Sequence, residues 1–237
     1  MESLPFFYIV GYNASQDEII LNEETSRHIV QVLRMKIGKQ LNLTDGKGNL
    51  LTCSITDDNK KHCTVEVNEI SYHQPATRKV SIAISLLKST NRFEWFLEKA
   101  TEIGVTEIIP LICERTEKEK FRQDRMKGIV ISAMLQSQQC WLPELHEPVK
   151  YENIESWKCK NGINFIAHCI DGNKQVLSNH QISTLSHSLI CIGPEGDFTK
   201  EEIELALKND FIPVSLGETR LRTETAGVVA ATLLTIS

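Results

Sequence analysis

The sequence predicts an α/β protein in two parts, a small β-barrel followed by a mainly parallel sheet with flanking helices. Three observations carry this. Up to residue 73 the apolar residues fall in short runs separated by turn residues, with one helical stretch among them. Beyond residue 79 continuously apolar runs alternate with helical stretches, as expected of strands covered on both faces. Between the two lies His73-Gln-Pro-Ala-Thr-Arg78, where one pattern gives way to the other. The expected division is therefore residues 1–73, a linker at 74–79, and residues 80–237.

In the first part, FFYIV (6–10), KQLNLTDG (39–46), NLLTCSIT (49–56) and HCTVEVNEI (62–70) read as strands. Asp45-Gly46-Lys47-Gly48 is a hairpin signal, because glycine accepts the positive φ of tight turns. Residues 23–35 read as a helix with Ile29, Val32 and Leu33 on one face. Several short strands with one helix suggest a barrel with a helical insertion.

In the second part, strands are expected at 80–87, 106–112, 163–168, 188–192 and 211–216. Asn91 with Glu94 offers a capping box for a helix whose inward stripe is Phe93, Phe96, Leu97, Ala100 and Ile103, ended by Gly104. Thr199 and Glu202 form a second box, with Ile203, Ala206 and Leu207 facing in. A final helix spans about 224–236.

Composition narrows the function. A net charge of -5 argues against a general nucleic-acid binder, although local basic patches remain. Residues 27–39 hold Arg27, Arg34, Lys36 and Lys39 with no acid, and residues 115–127 hold six basic side chains against three acidic ones. Seven scattered cysteines, odd in number and without CxxC spacing, fit thiols in a reducing cytoplasm, and no metal site is expected. His168-Cys169 sits in the apolar run INFIAHCI and reads as a strand end. No apolar run approaches the roughly 20 residues of a membrane span.

Ligands of open α/β sheets collect beyond the carboxyl ends of the strands. Two such segments stand out. Gly193-Pro194-Glu195-Gly196-Asp197-Phe198 enters the capped helix at Thr199, and can hold an anion or a flat ring against its backbone, or simply make a tight connection. Gly217-Glu218-Thr219-Arg220-Leu221-Arg222 leads to the last helix, where Thr223 or Thr225 can cap and Glu224 suits the dipole. Neither GxxxxGK[ST] nor GxGxxG occurs, which removes the commonest nucleotide-binding α/β classes.

These residues carry a resemblance. IGPEGDFTKEE (192–202) and SLGETRLRTETAGVVA (215–230) resemble the paired cofactor motifs of the SPOUT methyltransferases. Within that class the match is to the family that methylates N3 of a uridine in 16S ribosomal RNA of the small subunit. HIVQVLRMKIGKQLNLTDGKG (28–48) looks like that family's PUA-like RNA-binding barrel, LLKSTNRFEWFLEKATEIGVTEIIPLICERTE (86–117) like its first strand–helix–strand unit, and SAMLQSQQCWLPEL (132–145) like the region that follows. The resemblance implies a trefoil knot in the second part, S-adenosylmethionine as cofactor, and a homodimer. It implies a cofactor shell of Ala167, His168, Ile192, Gly193, Pro194, Glu195, Gly196, Leu216, Gly217, Leu221, Thr223, Thr225 and Ala226.

The uridine N3 carries a proton that must leave, so a carboxylate to accept it or a cation beside the uracil oxygens is required. Glu224 and Arg222 are the respective candidates, and Glu224 equally reads as a helix-start residue. Arg27, Arg34, Lys36, Lys88 and Arg92 are the expected RNA contacts. Family members often carry arginine where this chain has Gln138-Gln139-Cys140-Trp141, and Trp141 either stacks on a base or packs. Two other readings stand beside this one: the same class acting on a ribose 2′-hydroxyl or a transfer-RNA base, and an RNA-binding relative without catalysis.

Overall fold

The computed structural model describes residues 4–13, 16–170, 174–180 and 186–236. The chain divides into two compact units, Met1–Pro75 with Met134–Leu142, and Ala76–Ala133 with Pro143–Ser237.

The first unit is a curled five-stranded sheet of β1 (Phe6–Tyr8), β2 (Glu18–Ile20), β3 (Gln40–Thr44), β4 (Asn49–Asp57) and β5 (Thr64–Tyr72), in the order β1-β3-β4-β5-β2. Only β1 and β3 run parallel. Alternate residues of β3 to β5 point inward, so Leu41, Leu43, Leu51, Cys53, Ile55 and Val65 are almost completely buried. Strand β2 was not legible as a strand, because Glu18-Ile19-Ile20 is too short to show an alternating pattern.

Helix α1 (Glu23–Arg27) is capped by Asn22, whose side chain accepts from Thr25 N at 2.8 Å. It passes at once into a π-helical turn, His28–Val32. The wider turn changes which side chains face the core. Ile29 is buried, but Val32 and Leu33 are exposed, correcting the expected stripe. Leu33 ends the turn, and Arg34 follows with a left-handed φ of 53°.

Segment 134–142 packs within this unit. Gly48 N donates to Cys140 O at 2.9 Å, and the Trp141 indole donates to His73 O at 2.9 Å. The Trp141 ring meets Tyr72 edge-on at 6.1 Å. The tryptophan is therefore committed to packing, and Gln139 donates to Ser137 Oγ.

The second unit holds a parallel sheet of eight strands. They are β6 (Lys79–Ser85), β7 (Glu107–Ile112), β8 (Glu144–Leu145), β9 (Val149–Lys150), β10 (Ile163–Ala167), β11 (Gln175–Val176), β12 (His187–Ile192) and β13 (Ile212–Ser215). Their order is β11-β13-β10-β12-β6-β7-β8, with β9 also on β7. Burial on both faces explains the mainly apolar runs of β6, β7 and β12.

Helices cover the sheet: α2 (Thr90–Ile103), α3 (Gln123–Gln136), α4 (Ile154–Trp157), α5 (Lys200–Lys208) and α6 (Thr223–Ile236). Helix α5 has the expected box, Thr199 Oγ1 accepting from Glu202 N and Glu202 Oε2 from Thr199 N. Gly104 ends α2 in the left-handed conformation. The α2 start differs from expectation. Ser89 occupies the N-cap without a side-chain bond, Asn91 lies inside the first turn, and Glu94 turns to Arg125 at 2.5 and 2.9 Å. Helix α3 was not assigned from sequence, although its buried Met126, Val130, Ala133 and Met134 have helical spacing.

After β13 the chain does not stay at that side of the sheet. Helix α6 packs on α2, β6 and β12. The approach is close: a Cβ at Gly227 would lie 2.6 Å from Phe96 Cε2 and 2.9 Å from Ile84 Cδ1.

At the amino ends of the strands a partly buried polar network centres on the buried Glu107 and Ser81. Glu107 accepts from Lys79 at 2.9 Å and from Ser81, and faces His146 Nε2 at 3.0 Å. His187 joins Ser81 at 2.7 Å and Cys159 Sγ at 2.9 Å. Burial raises the Glu107 pKa, but the bonds from Ser81, Lys79 and His146 together outweigh it and the net shift is downward. For His187 burial lowers the pKa, Lys79 adds to that, and Glu107 opposes. Groups whose folded pKa lies below the unfolded value bind fewer protons when folded, so their contribution is present above the unfolded pKa and lost as pH falls. We expect the urea midpoint to drop between about pH 7 and about pH 5, the window below the ordinary imidazole pKa of about 6.5. His187→Gln should flatten that drop; an unaltered pH dependence in the variant would remove His187 from the account.

All seven cysteines are free thiols, and among the described residues no helix is long and apolar enough to cross a membrane. Glu107, Glu144 and His146 bring three donor atoms within 4.8 Å of one another, with Lys79 already on Glu107.

Candidate functional site

A cavity of about 700 Å³ opens at the carboxyl ends of β10, β12 and β13. Its walls come mainly from three stretches remote in sequence: 167–169 after β10, 192–195 with Asp197 after β12, and 214–223 with Ala226 from β13 into α6, to which Arg92 and Lys174 add. This is the end of a parallel sheet where ligands gather.

The β12 loop is held by several ties. Asp197 N donates to Pro194 O at 2.9 Å, closing a turn. The Asp197 carboxylate accepts from Phe198 N at 2.9 Å and, across to the β10 loop, from Cys169 N at 2.8 Å. Arg115 Nη1 donates to Gly196 O at 2.6 Å, and Glu195 Oε1 accepts from Lys88 N at 3.2 Å. Glu195 thus fastens the glycine loop to the start of the β6–α2 connection. Gly193 is needed for space: a Cβ there would lie 3.0 Å from Phe198 Cδ2 and 3.1 Å from Phe198 N.

The β13 loop differs. Gly217 has φ +139°, in the region that favours glycine, and nothing lies within 4 Å of where its Cβ would be. Among the described residues, the backbone N–H groups of residues 217–222 make no backbone hydrogen bond outside the strand ladders. In the same cavity, His168 Nδ1 is buried and without a partner. Burial lowers its pKa, Lys174 lowers it further, and Asp197 and a backbone bond oppose. The neutral imidazole of His168 is thereby favoured over the charged form.

The expected cofactor residues are largely brought together. Ala167, His168, Ile192, Gly193, Pro194 and Glu195 line the cavity on one side. Leu216, Gly217, Leu221, Thr223 and Ala226 line it on the other. Gly196 and Thr225 do not; Gly196 faces Arg115, and Thr225 lies on the first turn of α6. Sequence reading missed Cys169, Lys174 and Asp197, and the loop-to-loop tie made by Asp197 has no signature in spacing.

The two catalytic candidates part company. Arg222 is exposed and lines the cavity. Glu224 is 6% exposed, does not line the cavity, and faces Arg92, whose Nε lies 3.6 Å from Glu224 Oε1. Arg92, expected only as an RNA contact, itself lines the cavity.

Of the other expected RNA contacts, Lys88 pairs with Glu117 at 2.7 Å in the second unit. In the first unit Arg27 pairs with Glu23 at 2.7 Å and Lys36 with Asp58 at 3.0 Å. Arg34 is exposed and pairs with no carboxylate among the described residues. Surface pairs of this kind contribute little and exchange readily for phosphate.

Comparison with known proteins places these features. A family model described as an RNA methyltransferase domain matches residues 74–235, and one described as an RNA methyltransferase PUA domain matches residues 21–68. The ribosomal RNA small subunit methyltransferase E of Rickettsia conorii is 31% identical, over 94% of this chain and 91% of its own. A crystal structure of a probable rRNA-methyltransferase from Porphyromonas gingivalis superposes with TM-score 0.87 at 36% identity, covering 98% of this chain and 99% of that one. The ribosomal RNA small subunit methyltransferase E of Neisseria gonorrhoeae, bound to S-adenosyl methionine, gives TM-score 0.86 at 28% identity, covering 96% and 95%.

Proposed function

The chain belongs to the ribosomal RNA small subunit methyltransferase E family, with an RNA methyltransferase domain and a PUA domain, and on that premise we propose that it methylates N3 of one uridine in 16S ribosomal RNA, using S-adenosylmethionine. The observation that carries the cofactor assignment is the cavity at the carboxyl ends of β10, β12 and β13, lined by both glycine loops.

The residues fit the cofactor. Backbone N–H groups at 217–222 suit the ring nitrogens and hydroxyls of an adenosyl group, and Leu216, Leu221 and Ile192 offer apolar faces to its base. His168 Nδ1, buried and unpartnered, gives the ligand one more polar neighbour. When bound, S-adenosylmethionine supplies an electrophilic methyl group on a sulfonium. The protein's task is to place a nucleophile against it, and positioning of this sort supplies much of a displacement rate. Arg222, on the cavity wall, is a cation available to the substrate. The target base must be unpaired and turned out of its stack to reach such a cavity.

The trefoil knot and the homodimer are part of the same proposal. The return of α6 across β6 and β12, away from the preceding β13, supports the former. The exposed Trp95 on α2 and Ile236 on α6 support the latter.

The decisive experiment incubates the protein with labelled S-adenosylmethionine and small ribosomal subunits lacking the modification, then identifies the methylated nucleoside by mass spectrometry. N3-methyluridine is expected. Another methylated nucleoside would replace the substrate atom while keeping the class. Cofactor binding without transfer to any ribosomal RNA would point to another RNA. Neither binding nor transfer would favour a non-catalytic RNA binder.

RNA docking is assigned to the basic segment of the first unit. Replacing Arg34 and Lys36 together with alanine should weaken binding to the small subunit and reduce its salt dependence by about one to two ion equivalents. Cofactor affinity, measured by calorimetry, should not change. A matching loss of both would mean that the substitutions disturb folding.

A further inference from the structure

The pairing of Arg92 with Glu224 follows from how two helices cross. Gly227 on α6 lets Phe96 of α2 approach to within what a Cβ would forbid. One turn toward the amino end of each helix stand Arg92 and Glu224, so the crossing sets a buried carboxylate behind a cation that lines the cavity. Their exposures are unequal: the Arg92 side chain is 44% exposed and that of Glu224 only 8%. Glu224 Oε1 faces Arg92 Nε at 3.6 Å, while Oε2 is buried without a hydrogen-bond partner. The two Nη groups of Arg92 have no acceptor among the described residues.

A buried carboxylate oxygen left unpaired is unfavourable, so the arrangement is one that awaits a further contact. A guanidinium has five N–H donors on a planar fork, and one edge can serve Glu224 through Nε and one Nη while the other edge remains for a ligand. The pair is neutral overall. Such a cation attracts a full anion such as phosphate less than a free arginine would, but it answers charge that develops on a neutral group during reaction. The uracil imide is of that kind: its carbonyl oxygens gain negative charge as N3 loses its proton.

We propose that Arg92, held by Glu224, receives a carbonyl oxygen of the target uracil and stabilises the imide anion, and that Glu224 is a positioning residue for Arg92 and not the acceptor of the N3 proton. The N3–H bond breaks and its proton goes to solvent. The N3 electron pair then forms the bond to the methyl carbon, and the carbon–sulfur bond breaks with its electrons remaining on sulfur. Protonating Glu224 would strip Arg92 of its counter-charge at the moment its orientation matters. This inference rests on the reading that N3 of uridine is the methyl acceptor.

The test is single-turnover methyl transfer to unmodified small subunits as a function of pH, with cofactor affinity measured alongside. Arg92→Ala should lower the rate near pH 7 by a hundredfold or more, on the scale of removing one donor to a developing oxyanion. Its rate should level off at least one pH unit higher than wild type, because alkali supplies the anion that Arg92 no longer stabilises. Cofactor affinity should stay within twofold, which also reports that the variant is folded. Arg92→Lys should recover part of the rate. Glu224→Gln, which can still accept from Arg92, should lose less than tenfold, whereas Glu224→Ala should resemble Arg92→Ala and add nothing to it in the double variant. Three results would overturn the proposal. Glu224→Gln as inactive as Glu224→Ala would make Glu224 the proton acceptor. A tenfold loss of cofactor affinity in Arg92→Ala would make Arg92 a cofactor ligand. A rate deficit equal at every pH would leave Arg92 a docking contact. The wild-type product, identified in the same reactions, reports separately on whether N3 is the methylated atom.

Discussion

Gly227→Val is expected to destabilise the second unit more than any other single change considered, by about 3 kcal/mol, near the upper end for forcing extra atoms into a packed interior. The added Cβ would sit 2.6 and 2.7 Å from two ring carbons of Phe96 and 2.9 Å from Ile84. Phe96 and Ile84 are themselves fully buried, so neither has room to yield. For a domain of this size the loss corresponds to a fall of roughly 6–12 °C in Tm. Alanine makes the sharper comparison. Helix propensity alone favours Gly227→Ala by about 1 kcal/mol. The contact with Phe96 opposes it, and at these distances the contact should prevail. Urea denaturation of both variants decides: lower midpoints with an unchanged slope bear out the close approach. A stabilised alanine variant would mean that α6 can move off α2 without loss.

The second large effect concerns cofactor affinity, through two glycines that act for different reasons. Gly217→Val should weaken S-adenosylmethionine binding because a β-branched residue does not tolerate φ +139°. Strain of about 1–3 kcal/mol converts to a loss of roughly five- to 150-fold if the loop relaxes to escape it. Gly193→Val should weaken binding through a clash with Phe198, whose ring and backbone nitrogen lie 3.0 and 3.1 Å from the added Cβ. Gly193→Ala should already show part of that effect. Gly217→Ala should show strain without collision, since nothing lies within 4 Å. Calorimetric titration with S-adenosylmethionine measures all four. Unchanged affinity in both valine variants would detach these loops from the cofactor.

Where local chemistry decided the structure, the sequence was readable. Thr199 and Glu202 are three residues apart, and their mutual hydrogen bonds need no partner from elsewhere. The same holds for Gly104 and for the apolar runs of β6, β7 and β12. Reading failed where a distant element intervened. Asn91 and Glu94 have capping-box spacing, but Arg125 takes the carboxylate with two charge-assisted bonds. Val32 and Leu33 have helical spacing, but the switch to a π turn rotates them to solvent. At the site, the glycine loops were visible because backbone geometry demands glycine in the chain itself. The Arg92–Glu224 pair was not, since 132 positions separate its members and only the α2–α6 crossing unites them.

The cavity wall includes residues 214–223 and Ala226, the last of them already in α6. During synthesis the chain emerges from its amino end, and the first strands can pair long before these residues exist. No part of the cofactor cavity is complete at that stage, because the walls at 167–169 and 192–195 lack their opposite side. The first unit, which needs nothing beyond Met134–Leu142, has all of its residues well before the cavity does. Contacts of such long sequence separation also form slowly. The cavity is consequently among the last features of the second unit to be completed, when the wall leading into α6 arrives.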